Sequence, residues 1–177
     1  MSALWGLLKK HRDSIVALWR EATLDTYPTD ATNFLKKSKD PFHNPVGKRI
    51  NEGLAQAFDV LADQGETVKV TPFIDDVIRM RAVQDFSPSQ AIGFLFLLKG
   101  IILEQLKKDA AKIEDSADWR ELDAKIDGMA LLGMDIYNTC KEKIYSMRVH
   151  EVRNQCYNAL KKSNLIVAIE DMPDDAT

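Results

Sequence analysis

A proline at position 88 separates two helical patterns, and the second pattern dictates how the rest of the chain must pack. Ser87 reads as an N-cap whose hydroxyl accepts a free first-turn amide. Pro88 falls at the first helical position, where a missing N–H costs nothing, and Gln90 is placed to complete a capping box. Beyond this start come Ile92, Phe94, Leu95, Phe96, Leu97, Leu98, Ile101, Ile102, Leu103 and Leu106, apolar residues on every face of a helix and not in one stripe. Such a helix is buried all round or spans a bilayer. A bilayer needs about 20 apolar residues in succession, and Lys99, Glu104 and Gln105 interrupt this run. The core reading follows, with Phe96 as a large buried ring. Gly93 and Gly100, seven residues apart, mark a face where another helix can approach closely.

With a central helix of this kind the chain reads as all-α. Its 177 residues suit one domain, and 45% hydrophobic with 29% charged residues is ordinary for a soluble globular protein. A net charge of −3 supplies no basic field for nucleic acid. The short apolar run Ala3–Leu8 precedes its basic residues, the reverse of a signal peptide, so a cytoplasmic location is expected, without stable membrane insertion. Cys140 and Cys156 lie on one helical pattern, about 24 Å apart if the helix is straight, so both read as free core thiols in a reducing compartment.

Leu4, Leu8, Ile15, Leu18, Trp19 and Ala22 recur at helical spacing and predict one amphipathic N-terminal helix. Leu4, Trp5, Leu7 and Leu8 beside Lys9 and Lys10 serve either to dock that helix on a core or to meet a membrane surface. Tyr27-Pro28-Thr29-Asp30 ends the helix. A polar connection with Lys36, Lys37 and Lys39 follows, read as a solvated loop or a phosphate- or partner-binding patch. Asn44 then caps a helix with Pro45 at its first position, through Ile50, Leu54, Phe58 and Leu61; Thr71 with Pro72 opens another. Ser116 is placed to cap a long helix from near Trp119, whose apolar series Leu122, Ile126, Met129, Gly133, Ile136, Cys140, Ile144 and Met147 keeps spacings of three and four. If it continues to Leu160 it spans about 60 Å, so its distal part is expected to project and to meet a second copy or a partner, with Ile144 and Met147 as interface candidates. Gly128 and Gly133 are candidate bends. Residues 1–163 are thus expected as one helical domain and 164–177 as a partly disordered acidic tail.

The chemistry-bearing residues yield no catalytic constellation. His11, His43 and His150 are scattered, there is no C-x-x-C, P-loop or dinucleotide fingerprint, and no nucleophile has an evident base. Neither metal nor cofactor is expected. Arg79, Arg81, Gln84 and Asp85 stand out between two apolar helices, with Lys99 inside the second. Two readings are open. Arg79 pairs with Asp75 along its helix, Asp85 caps the corner and Lys99 reaches solvent; or the set lines a small-ligand or partner site favouring an anionic or carbonyl-bearing group.

The run DVIRMRAVQDFSPSQAIGFLFLLK from Asp76 to Lys99, together with Asn44-Pro45-Val46-Gly47 opening the upstream helix, resembles the N-terminal sensor domain of the RsbT co-antagonist RsbRD family. The likeness extends from the first helix to about Tyr145. It implies a helical domain, globin-like without haem in related sensor domains, that acts as an input in stress-signalling assemblies by modulating protein contacts. In that family such a domain precedes a STAS domain, and the sequence after Met147 is too short for one, so a stand-alone version is expected. The expected function is a non-enzymatic, cytoplasmic regulatory sensor or protein-interaction module, self-associating as a homodimer through its long helix. The alternative is a small-ligand carrier for an organic acid, a lipid or a haem-like group.

Overall fold

The start at Ser87 is built from the expected bonds: Ser87 Oγ accepts from Gln90 N at 3.4 Å, and Gln90 Oε1 accepts from Ser87 N at 3.0 Å. The helix it opens runs Pro88–Gln105. In the computed structural model, which describes residues 3–28, 32, 44–107, 113, 116–163 and 165, six helices appear in chain order: α1 (Ala3–Lys10), α2 (Arg12–Asp25), α3 (Pro45–Ala62), α4 (Thr71–Val83), α5 (Pro88–Gln105) and α6 (Ala117–Lys162). A 3-10 turn, Thr67–Val70, leads into α4. The fold is all-α, and the chain divides into two units, Met1–Cys140 and Lys141–Thr177.

In the first unit α3 packs on α4, and α2 packs on both α5 and α3. Asn44 caps α3 by accepting from Gly47 N at 2.8 Å, with Pro45 at the first position. Ser116 likewise caps the start of α6, accepting from Trp119 N at 3.1 Å. Both caps match the sequence reading. The core comprises Trp19, Ile50, Leu54, Phe58, Ile74, Ile78, Phe94, Leu95, Leu98, Leu122, Ile126 and Met129 among its buried side chains. The N-terminal segment is docked and not left for a membrane: Leu4, Trp5 and Leu8 are buried, Lys9 binds Asp63 just past the end of α3, and Arg12 binds Asp59 within it. The hydrogen bonds of Asp59 hold the Arg12 guanidinium above its usual range, with those of Asp13 adding to the effect.

Several expectations are corrected. The N-terminal pattern forms two helices, broken at His11, where φ −100° and ψ 11° leave the helical region for one residue. Thr71 does not cap α4 but is its first residue; the cap position is Val70, and the buried Thr71 hydroxyl has no hydrogen-bond partner among the described residues. The central helix is not buried all round. Phe96 is 47% and Leu97 40% exposed, and a Cβ added at Gly93 or Gly100 meets nothing within 4 Å. An apolar pattern limits where a helix can sit but does not require each residue to be covered. The close approaches are elsewhere: a Cβ on Gly53 would lie 2.4 Å from the Phe73 carbonyl oxygen, and one on Gly133 2.8 Å from Ile78 Cδ1. Gly128, against Thr67, is likewise a packing position. Cys140 is buried as expected, but Cys156 is exposed.

The second unit continues α6 to Lys162 with its side chains largely in solvent, Met147 and Val149 among them. Lys141 stacks over the Tyr145 ring at 5.9 Å within it. Lys36, Lys37, Lys39 and His43, and the tail from Ile166, lie outside the described residues.

Candidate functional site

The corner between α4 and α5 is a Schellman turn. Gln84 N donates to Met80 O at 3.1 Å, Phe86 N reaches back to Arg81 O at 3.1 Å, and Asp85 takes the left-handed position with φ 58°. Aspartate is one of the few side chains that tolerate this conformation. The corner is tied down from α6, where Tyr137 donates its hydroxyl to Phe86 O at 2.7 Å. On the other side, Trp19 of α2 donates from Nε1 to Phe94 O at 2.7 Å.

Between these ties lies Arg81, in the last turn of α4 and fully buried at 0% exposure. Its Nε donates to Tyr27 Oη at 3.3 Å, Nη1 to Gln90 O at 2.9 Å, and Nη2 to Thr23 O at 3.1 Å and Thr26 Oγ1 at 2.9 Å. Three rings enclose the guanidinium carbon, Phe94 at 4.6 Å, Tyr27 at 4.7 Å and Phe86 at 5.3 Å. Among the described residues no carboxylate lies within ion-pair distance. Burial lowers the guanidinium below its usual range, and the field and hydroxyl of Tyr27 oppose that shift. Two helix ends supply what a counter-ion would: Thr23 O belongs to the C-terminal turn of α2, and Arg81 stands at the C-terminus of α4, both electronegative ends. Arginine suits this place because its planar head donates in a fixed fork and stacks on aromatic faces.

An open cleft of about 400 Å³ lies at this corner, lined by Thr26, Tyr27, Pro28, Gln84, Asp85, Phe86 and Gln90. Arg81, Gln84 and Asp85, singled out in the sequence, thus converge here, the first beneath the cleft and the other two on its wall. Arg79 does not join them. Its Nε binds Asp75 Oδ2 at 2.6 Å, a bond that raises the guanidinium above its usual value, and it lines a separate groove of about 530 Å³ with Pro45, Val46, Arg49, Asp76, Met80, Val83 and Gln84. Lys99 lies on another face, its ammonium 2.7 Å from both Asp123 and Asp127 of α6. The sequence reading missed Thr23 and Thr26 around Arg81 and Asp123 and Asp127 around Lys99, and it read Tyr27 only as a helix end and Gln90 only as part of a capping box. Asp123 and Asp127, four apart and each one residue from the buried Leu122 or Ile126, were the only available signal.

For Lys99, burial is the largest influence and lowers its pKa, but the hydrogen bonds to Asp123 and Asp127 together outweigh it and leave the pKa raised. A raised lysine stabilises the fold fully below the ordinary value of 10.5, and the contribution is lost as pH rises through the higher folded value. Lys99→Met is therefore expected to change stability at neutral pH by no more than about 1 kcal/mol, the pair being partly exposed. Thermal melts taken up the alkaline range check the linkage: the wild type should lose stability above pH 10.5 more steeply than the variant.

The described residues contain no group of His, Cys, Asp and Glu suited to a metal ion, and no helix among them is long and apolar enough to cross a membrane. What the fold presents is an all-helical domain with a buried cation at one corner and a long helix extending through its second unit. The family model described as the RsbT co-antagonist protein rsbRD N-terminal domain matches residues 13–152. The chain belongs to that family, a regulatory one. No curated protein and no solved structure matches it.

Proposed function

We infer that this chain is a non-enzymatic regulatory domain, an input module of cytoplasmic stress signalling that works through protein contacts and pairs with a second copy of itself through α6. Membership of the co-antagonist family supports the regulatory part. The observation that carries the contact surface is the apolar character of α6 beyond Cys140, where Tyr145, Met147, Val149, Val152, Tyr157 and Leu160 are all exposed. Cys140, Ile144 and Met147 follow one another at spacings of four and three, the repeat by which helices pair side by side. Ile144, half-buried, and Met147, exposed, are the interface candidates on this face. An exposed apolar series of this length is unusual on a surface that meets only water.

The expected result of Ile144→Glu combined with Met147→Glu is a fall in sedimentation mass to that of one chain, with helix content unchanged. A variant that sediments like the wild type would remove this part of α6 as the contact surface. A ligand-carrying role is the second reading, favoured by the cleft beside Gln84 and Asp85. Under either reading the candidate binding residues are Arg79, Arg81, Gln84, Asp85 and Lys99, now divided among three places.

A further inference from the structure

We propose that the cleft over Arg81 is a binding site for a small organic carboxylate, with Arg81 as the buried cation that the ligand pairs with. Four of the residues that line the cleft, Thr26, Tyr27, Phe86 and Gln90, also touch the Arg81 guanidinium. A single layer of residues therefore separates the cleft from a charge that has only neutral partners among the described residues. The edge formed by Nε and Nη2 matches the two oxygens of a carboxylate. That edge is occupied by two hydroxyls, Tyr27 Oη on Nε at 3.3 Å and Thr26 Oγ1 on Nη2 at 2.9 Å, and both residues line the cleft.

Tyr27 Oη makes the longest of the four bonds to Arg81. If Tyr27 and Thr26 turn aside, a carboxylate can take the Nε–Nη2 edge, and the two displaced hydroxyls become donors to its oxygens. The bonds from Arg81 to Gln90 O and Thr23 O stay in place, so the guanidinium remains anchored while it gains a counter-charge. Pro28 and the rings of Tyr27 and Phe86 supply apolar walls for a flat organic body, and about 400 Å³ accommodates one of modest size. Asp85 also lines the cleft and places a negative charge there, which disfavours dianions and sets the selection toward a single carboxylate.

The proposal extends the regulatory reading by naming what the domain senses, but binding is read on the purified full chain and does not depend on self-association. The probe is sodium benzoate, followed through the Arg81 Nε–Hε resonance in 1H–15N spectra, assigned by its loss in Arg81→Lys. Benzoate is expected to shift this resonance saturably, whereas benzamide, of the same shape without charge, does not. Thr26→Val keeps the fold and Arg81, and should weaken benzoate roughly tenfold, the loss of one charge-assisted hydrogen bond. An unmoved Arg81 resonance would overturn the site. So would equal shifts by benzamide, tighter binding of benzamidine, or unchanged affinity in Thr26→Val. Inorganic phosphate binding more tightly than benzoate would overturn the organic carboxylate as the ligand class.

Discussion

Phe94→Ala is expected to destabilise the chain by about 3–5 kcal/mol, the cost of deleting a buried aromatic ring whose neighbours cannot fully collapse. The ring is completely buried, lies 6.3 Å from Trp19 in a stacked pair, and forms one wall around Arg81. Its removal takes packing from α2, α4 and α5 together. Phe96→Ala, two residues on, should cost at most about 0.5–1 kcal/mol because that ring is half exposed. Urea unfolding of the two variants side by side measures the difference. Similar losses in both would mean that the buried face of α5 has been assigned to the wrong residues.

The second large effect is expected where α3 crosses α4. A Cβ at Gly53 would lie 2.4 Å from the Phe73 carbonyl oxygen, so Gly53→Ala forces two helix backbones apart. Overpacking of this kind costs about 1–3 kcal/mol, and it outweighs the helix propensity of about 1 kcal/mol that alanine gains over glycine. At Gly100 nothing stands within 4 Å of the added carbon, so Gly100→Ala should stabilise by about 0.5–1 kcal/mol. The same substitution in two helices thus has opposite signs. Thermal melts of both variants test this, and a stabilised Gly53→Ala would deny the close crossing.

What the sequence revealed of the fold was mostly local chemistry. Ser87 with Gln90, Asn44 with Pro45, and Ser116 are caps because a side-chain oxygen lies within reach of an amide two or three residues on, and that geometry is independent of the rest of the chain. The seam Leu122, Ile126, Met129, Gly133, Ile136 and Cys140 was legible for a similar reason, since helical periodicity brings these residues to one face. Which faces become buried depends on partners distant in sequence. Phe94 and Phe96 are both phenylalanines in one apolar run, and only the positions of α2 and α4 decide that the first is covered and the second is not. Gly53 gave no sign of its role, because its neighbour Phe73 lies on another helix.

The candidate site was legible to the same extent. Arg81, Gln84 and Asp85 stood out as polar residues at an apolar corner, and the structure brings them to one cleft. Tyr27 was read only as part of a helix ending, though its hydroxyl and ring contact Arg81 across 54 positions of sequence. Lys99 was grouped with that corner by proximity along the chain, but eleven residues from Pro88 carry it to the face where Asp123 and Asp127 stand.

The central claim is that this domain works through contacts made by α6, and the mass of the unmodified 177-residue chain in solution tests it most directly. Sedimentation equilibrium at micromolar concentration is predicted to give twice the 20.0 kDa of one chain. A mass of 20.0 kDa that persists as concentration is raised would contradict it.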